Sequence, residues 1–195
     1  MNFIEIAGLK WATYNVGADK PTDAGLYFQW GDRKGYTADE VGKVKVFDRT
    51  NYKHYNGKRY TKYNEFDGKC TLDLCDDAAF AYMGHGWRVP TDEDFRRLIA
   101  STTHRWVNNY QNSGVSGMVF TDITDNTKQL FFPAVGYCYH GGVYSVGLDG
   151  LYWSGSLSSE STPSGRNFSF DSDGENCWAN NGRYFGFSVR GILTV

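Results

Sequence analysis

The chain lacks long hydrophobic runs and an excess of basic residues. Its longest apolar stretches are far too short to cross a bilayer, which excludes a membrane-spanning helix and argues against membrane insertion. Lys and Arg number 20 against 22 Asp and Glu, and the formal net charge is −2. Because the basic residues form no stripe, the sequence does not indicate a nucleic-acid partner.

The chain has few cysteines, and none of them form a CxxC pair. The absence of this pair argues against a zinc ribbon or a thioredoxin-type site. The cysteines are Cys70, Cys75, Cys138 and Cys177. Cys70 and Cys75 flank four residues and could close a small disulfide. Free thiols in a reducing compartment are the alternative, which the missing signal peptide favours.

Residues 1–5 contain neither the basic region nor the hydrophobic region of a secretory signal. We therefore expect no Sec-dependent export of this chain as written. The alternative that the chain is a mature secreted fragment with an added Met is left open.

Glycine and aromatic residues are abundant. The 195 residues include 23 glycines, and 17% of the residues are aromatic. Glycine supplies turns, while Tyr and Trp supply large contact area at a low entropy cost. The composition predicts a loop-rich protein with aromatic anchors rather than a helical bundle. The length fits one domain, which buries roughly 70% of its unfolded surface.

Two helices are expected in the first half of the chain. One is predicted over residues 73–83, with Gly84 as its C-cap. The second follows Thr91, an N-cap candidate with Asp94 three residues later in a capping-box variant. Phe95, Leu98 and Ile99 share one face of this helix.

Strands are expected mainly in the second half, which predicts an α+β fold with two helices and mostly antiparallel short strands. Residues 32–66 are predicted to be a long irregular excursion. No domain boundary is visible, so residues 1–195 are predicted to form a single domain. The predicted strands are 3–12, 26–31, 117–120, 128–133, 136–139, 150–154, 166–170 and 186–190.

The last third alternates anchor residues with irregular polar and aromatic runs. We call the anchors the frame; they are 152–154 (YWS), 168–170 (FSF), Trp178, Arg183 and 186–190 (GFSVR). The runs between them, such as 179–182 and 184–185, have no period of their own. Apolar anchors can hold a surface whose other positions are free to change, so this layout favours binding over chemistry. Trp11, Trp30, Trp87 and Trp153 are predicted to be core residues.

Five motifs follow one another along the chain: 8–17 (GLKWATYNVG), 27–31 (YFQWG), 76–79 (DDAA), 86–91 (GWRVPT) and 132–137 (FPAVGY). In this order they resemble the Fibrobacter succinogenes major paralogous domain, a family abundant in gut Bacteroidetes and their phages. The resemblance covers nearly the whole chain and implies a C-type lectin-like fold, in the branch that includes formylglycine-generating enzymes.

The frame further resembles the variable region of proteins diversified by retroelements, in which a reverse transcriptase mutates template adenines. The resemblance implies a scaffold over residues 1–135 and a ligand-binding variable region over residues 136–191. Trp153, Trp178 and Glu175 would belong to the scaffold. Where related copies end the motif with Arg-Pro-Val, this chain has Arg190-Gly191-Ile192. The implied variable positions are Tyr139, His140, Val143, Tyr144, Ser145, Asn167, Ser169, Ala179, Asn180, Asn181, Tyr184 and Phe185.

The implied function is recognition of a surface protein or glycan by the variable protein of a diversity-generating retroelement. The main alternative is an adhesive or structural cell-surface domain of the same family without diversification. Residence on a phage particle, in the bacterial cytoplasm or on the cell surface is left open, as is an oligomer. An enzyme of the formylglycine-generating type would need a redox pair of cysteines, for which Cys138 and Cys177 are the only candidates. Neither lies in a matching motif, so we expect no enzyme.

No catalytic or metal-binding motif is present. His54, His85, His104 and His140 show neither HxH nor HExxH spacing, and 153–156 (WSGS) is not a GxSxG elbow. Residues 171–175 (DSDGE) resemble the start of a calcium loop, but Asn180 stands where the closing glutamate is needed. A polar hairpin turn is the preferred interpretation. No cofactor is expected, and calcium held by residues distant in sequence is left open.

Overall fold

A computed structural model describes residues 2–194, except for the side chains of Asn176, Cys177 and Trp178. The sequence predictions for Cys177 and Trp178 therefore concern side chains outside the described residues. The architecture is mixed α+β, with two α-helices and mostly antiparallel strands in the described part, as predicted. Neither helix among residues 2–194 is long and apolar enough to cross a membrane.

The helices are α1 (Ala78–Met83) and α2 (Asp92–Ala100). The strands in residues 2–194 are β1 (Phe3–Ile6), β2 (Leu9–Ala12), β3 (Trp87–Arg88), β4 (Thr102–Val107), β5 (Gly117–Asp122), β6 (Gln129–Pro133), β7 (Tyr137–Tyr139), β8 (Gly142–Tyr144), β9 (Gly150–Leu157), β10 (Ser164–Asp171), β11 (Gly174–Gly182) and β12 (Ile192–Leu193).

The second helix forms as its sequence predicts. Thr91 caps it, because the Thr91 hydroxyl accepts from the Asp94 backbone N–H at 3.3 Å and Asp94 Oδ2 accepts from the Thr91 N–H at 2.7 Å. Arg88 Nη1 also donates to Asp94 at 2.7 Å and fixes the helix start to β3. Phe95 and Leu98 are buried, so α2 covers the sheet formed by β9, β10 and β11.

The first helix is shorter than the predicted range 73–83. Leu74–Asp76 form a separate 3₁₀ turn, and Asp77 then adopts an extended conformation. The Asp77 carboxylate accepts from the Phe80 N–H at 2.9 Å and so acts as the N-cap. The helix therefore begins at Ala78, and it ends at Gly84 as predicted.

Four strands from both ends of the chain form one sheet in the order β1-β2-β12-β3. Residues 3–12 form a hairpin instead of the single strand that the sequence predicts. Ala7 has a φ of 57° and Gly8 a φ of 69°, between the paired residues Ile6 and Leu9. Two successive residues with positive φ make a tight turn, which reverses the chain.

The other sheets are β4-β5-β6, β9-β10-β11 and the hairpin β7-β8. The predicted strands 117–120, 128–133, 136–139, 150–154 and 166–170 are confirmed, whereas β4, β8, β11 and β12 were not predicted. The predicted strands 26–31 and 186–190 are wrong as continuous strands. Phe187 bridges Phe28, Gly186 bridges Cys138, and Ser188 bridges Tyr152, so residues 186–190 join three different elements.

Two hydrophobic cores lie on opposite faces of the sheet β9-β10-β11. The first contains Phe95, Phe132, Tyr152 and Phe168. The exposed fractions of Trp11, Trp30 and Trp153 are 0%, 0% and 1%, and that of Trp87 is 7%, which confirms the four tryptophans as core residues. The second core contains Val16, Phe28, Trp30, Tyr63, Ala78, Ala79, Val89, Trp153, Phe187 and Val189.

The excursion over residues 32–66 is irregular, as predicted. It contains 3₁₀ turns at Ala38–Glu40 and Arg49–Asn51 and a few isolated bridges. Tyr52 and Tyr63 are buried, so the excursion packs on the second core.

Candidate ligand-binding site

The frame residues with described side chains are buried, apart from half-buried Ser169. Trp153 Nε1 donates to the Phe28 carbonyl at 2.7 Å, and the Trp153 ring stacks on Phe187 with centroids 4.2 Å apart. Tyr152 donates its hydroxyl to the Pro133 carbonyl at 2.7 Å, and burial raises its pKa to about 12. The frame therefore forms the packed interior beneath the surface of the last third.

Two buried arginines fasten the frame to distant segments. Arg190 is 0% exposed and donates to Asn15 Oδ1 and to the carbonyls of Ala12 and Phe131. Burial lowers its pKa to about 10. Arg183, also 0% exposed, donates to the backbone carbonyls of Lys62 and Tyr63. Neither arginine has a carboxylate partner among the described residues, so both hold backbone in place.

Five aromatic side chains lie together above this frame. The Tyr139 and Phe185 rings stack with centroids 4.7 Å apart, and the Tyr184 ring lies 5.1 Å from Phe185. Tyr137 connects them to Tyr144, at 6.1 Å from Phe185 and 5.6 Å from Tyr144. We call these five residues the aromatic cluster. Tyr144 is 46% exposed and the other four are half-buried.

Backbone contacts hold the aromatic cluster in position. Cys138 and Gly186 exchange two backbone hydrogen bonds of 2.7 and 2.9 Å, which fasten the hairpin β7-β8 to residues 184–187. Two glycines leave room for tyrosine rings. A Cβ at Gly182 would lie 2.6 Å from the Tyr184 ring, and one at Gly142 would lie 2.7 Å from the Tyr144 ring.

The sheet β9-β10-β11 continues this surface. Asn167 pairs with Ala179, and Ser169 pairs with Leu151, so these side chains share one sheet face. Asn181 lies on the same face, because its Nδ2 donates to Asn167 Oδ1 at 2.9 Å. Leu151 packs on the same core as Tyr137 and Phe185. Ser169, Ala179 and Asn181 are half-buried. These three residues and the aromatic cluster together form the candidate face.

Two predicted positions do not lie on an accessible part of this face. Asn167 is 0% exposed, because it lies under Asn181 between two neighbouring strands. Asn180 pairs with Arg166, one residue out of phase with Ala179 and Asn181, so it points to the opposite side of β11. Its Nδ2 lies 3.4 Å from Glu160 Oε2.

The remaining predicted positions lie in and after the hairpin β7-β8. His140 is exposed, and its backbone pairs with that of Phe47. Val143 is half-buried and packs against the first core. Ser145 is half-buried with a φ of 57°, and its carbonyl accepts from the N–H groups of Leu148 and Asp149 at 3.0 Å each. Val143 and Ser145 therefore shape the hairpin and the turn that follows it.

The sequence pattern places neither Tyr137 in the candidate face nor Leu151 beside it. Tyr137 lies in the same aromatic run as Tyr139, which was a usable indication. Leu151 pairs with Ser169, a relation that only the strand register shows.

Comparison of the chain with protein-family models, with curated proteins and with solved structures finds no match in any of the three.

The groups that could bind a metal are already occupied by lysines. Asp73, Cys75 and Asp76 place ligand atoms within 4.8 Å of one another. Lys62 Nζ lies 2.7 Å from Asp73 and 2.5 Å from Asp76, and Lys53 Nζ lies 2.6 Å from Asp76. Burial would raise the pKa of Asp76, but the hydrogen bonds from Lys53, Lys62 and Tyr63 outweigh it and hold this pKa well below its usual range. The cluster is an ion-pair network rather than a metal cage.

Residues 171–175 form the tip of the hairpin β10-β11, as the turn interpretation predicts. Phe170 pairs with Glu175, and Asp171 Oδ1 accepts from the Asp173 N–H at 2.7 Å. Glu175 Oε2 lies 2.8 Å from His104 Nε2, so its carboxylate faces away from the tip. These contacts are those of a closed polar turn.

The thiols with described side chains are not paired. Cys70 and Cys75 are both exposed and free. Cys138 is 0% exposed, and burial raises the pKa of its thiol far above the usual range. A reactive cysteine needs a lowered pKa and access to solvent, and Cys138 has neither.

Proposed function

We propose that this protein is a ligand-binding domain whose candidate face recognises a molecule on a cell surface. The observation that carries the proposal is the aromatic cluster, partly exposed above a fully buried frame. Tyrosine offers a large, rigid contact area with few rotatable bonds, and Asn and Ser add adaptable hydrogen bonds. A rigid support loses little entropy when a ligand binds, so such a face gains affinity efficiently.

We also propose the C-type lectin-like fold that the resemblance implies. Two helices in the first half and antiparallel strands in the second support it. The proposed scaffold over residues 1–135 and the variable region over residues 136–191 follow the same resemblance.

Within this proposal, the face is diversified by a retroelement. Tyr139, Tyr144, Ala179, Asn181 and Tyr184 retain exposed surface, whereas the described frame side chains other than Ser169 are buried. A substitution at the exposed positions removes little core packing, so the fold would tolerate many residues there. An adhesive domain of the same family without diversification is the rival. A lipoprotein signal upstream of the gene would favour the rival.

An enzyme of the formylglycine-generating type is disfavoured by the buried, high-pKa thiol of Cys138. No cofactor is part of the proposal, and the partner is a surface protein or glycan. If several copies assemble, avidity would strengthen weak single contacts.

The binding face is tested by replacing Tyr139, Tyr144, Tyr184 and Phe185 together with Ala. We expect at least tenfold weaker binding to intact gut bacteria, measured by flow cytometry, and to a glycan array, because aromatic contacts dominate interface energies. Phe3→Ala is the matched control, because Phe3 is 45% exposed, against 46% for Tyr144, and lies on β1, outside the face. Near-UV circular dichroism checks the fold. A folded quadruple variant that binds as the wild type does would refute the assigned face.

A further inference from the structure

We propose that the ligand-binding face extends beyond the variable region onto residues 48–60 and that its ligand is an acidic glycan. This inference rests on the proposed function and adds two things to it: a second contributing segment and the charge of the ligand.

A glutamine connects the aromatic cluster to this second segment. Gln29 Nε2 donates to the carbonyl of Tyr184 at 3.0 Å and to the carbonyl of Asp48 at 3.2 Å. The same nitrogen lies 3.4 Å from Asn51 Oδ1. Gln29 is 1% exposed, so this link is fixed in the interior. The segment that carries Arg49 is thereby held beside Tyr184.

The rings of the second segment continue the surface. The Tyr55 and Tyr60 rings lie 5.3 Å apart, and the Arg49 guanidinium lies 5.1 Å over the Tyr55 ring. Tyr60 in turn lies 4.7 Å from the buried Arg183 guanidinium, next to Tyr184 in the chain. Half-buried rings and a cation therefore extend from Tyr184 to Arg49.

The second segment carries a concentrated positive charge. Residues 48–60 contain four Lys or Arg and one Asp, although the whole chain has a net charge of −2. Lys53 forms an ion pair with Asp76. Arg49, Lys58 and Arg59 are exposed and form no ion pair with any residue in 2–194.

Apart from Asp48, whose carboxylate caps the 3₁₀ turn Arg49–Asn51, the acidic side chains near the face lie at its other end. Asp149, Asp171 and Asp173 line an open cleft of about 450 Å³ beside Ser169. Gly182 pairs with the start of β10, whereas Asp171 ends it. At a rise of about 3.3 Å per residue, the two ends are roughly 20 Å apart. An anion bound near Arg49 and Tyr184 is therefore outside the strong repulsion of this cleft, since the Debye length at physiological salt is about 8 Å.

The chemistry of the surface favours a saccharide as the carrier of the anion. Flat tyrosine rings accept the C–H faces of pyranose rings, and side-chain amides bond to hydroxyl groups. Arginine binds carboxylate or sulfate groups in a bidentate geometry. An acidic glycan combines these features along one chain, which matches the row of rings from Tyr139 to Tyr55 that ends at the Arg49 cation.

The test measures binding of the full chain to immobilised heparin, polygalacturonate and neutral dextran by biolayer interferometry. We expect the wild type to bind at least one of the two acidic polymers and not dextran, and to bind more weakly as NaCl rises from about 50 to about 300 mM. Arg49→Glu with Arg59→Glu should weaken binding at least tenfold. Arg105→Glu is the control, because Arg105 is exposed on β4, outside the face. Arg49→Gln with Arg59→Gln serves if the charge reversal disturbs folding.

Wild-type protein that fails to bind either acidic polymer, or that binds dextran or only protein ligands, would overturn the inference. Binding that survives in the folded Arg49 and Arg59 variants would also overturn it. A Tyr139→Ala and Phe185→Ala variant separates the two proposals. If this variant loses cell binding while the arginine variants keep theirs, the proposed function stands and the acidic ligand is wrong. If only the arginine variants lose polymer binding, the anion site stands and the aromatic cluster is wrongly assigned.

Discussion

Replacing Arg190 with Met is expected to lower the free energy of unfolding by about 4 kcal/mol, because the change leaves three buried acceptors without a donor. These acceptors are Asn15 Oδ1 and the carbonyls of Ala12 and Phe131. The guanidinium also lies 4.3 Å from the centroid of the Phe132 ring. Since Asn15 and Ala12 are near the N-terminus and Phe131 is in β6, one side chain joins three parts of the chain.

Urea denaturation measures this loss, with Arg105→Met as an exposed control that should change little. A double-mutant cycle with Asn15→Ala sharpens the result. The double variant should lose less stability than the sum of the two single losses, because removing Asn15 Oδ1 removes one of the buried acceptors that Arg190→Met leaves without a donor. A loss below about 1 kcal/mol for Arg190→Met, or strict additivity in the cycle, would contradict this role for Arg190. If the Met variant does not fold, Arg190→Lys should fold with an intermediate loss.

Asp76→Asn is expected to lower the free energy of unfolding by about 3 kcal/mol at neutral pH. The Asp76 side chain is 5% exposed and accepts from Lys53, Lys62 and the Tyr63 hydroxyl. The amide of Asn cannot neutralise two ammonium groups. The lysine side chains are partly exposed, 37% for Lys53 and 24% for Lys62. The expected loss of stability is therefore near the lower end of the range for breaking a buried ion pair.

The Asp76 effect depends on pH with a definite sign. The folded-state pKa of Asp76 lies below its value of 3.8 in the absence of interactions. The carboxylate therefore stabilises the fold fully above about pH 5, and this contribution is lost as the pH falls through about 4 and below. Denaturation curves across this range should show the difference between wild type and Asp76→Asn shrinking at low pH. Asp73→Asn, at a more exposed carboxylate, is the control and should cost much less. A difference that stays constant down to about pH 2 would exclude the proposed ion pairs.

Sequence patterns predicted an element correctly where the residues of that element alone determine its structure. The start of α2 follows from Thr91 and Asp94, and its buried face follows from the spacing of Phe95 and Leu98. The core positions of Trp30 and Trp153 follow from residue type alone. The tight turn at Ala7 and Gly8 could not be predicted in the same way, because it needs a positive φ at both residues and Ala seldom adopts one.

Pairing with distant segments decided the elements that the sequence did not predict. β11 is rich in Asn, a poor strand former, and pairing with β10 along most of its length stabilises it. Residues 186–190 alternate in the manner of a strand, yet Gly186, Phe187 and Ser188 each bridge a different partner. Ser188 and Arg190 are as buried as Phe187. The strand register also determines that Asn167 is covered and that Asn180 points away from the candidate face. Composition alone cannot show either result.

The separation between a buried frame and an exposed face is the central claim. It is tested most directly by sequencing the segment that encodes residues 136–191, with its genomic neighbourhood, from many isolates. We predict a reverse-transcriptase gene beside a near-copy of this segment, with substitutions concentrated at Tyr139, Tyr144, Ala179, Asn181, Tyr184 and Phe185. Trp153, Phe168, Arg183 and Arg190 should not vary. Substitutions spread evenly over the segment, or frequent changes at these four frame residues, would contradict the account.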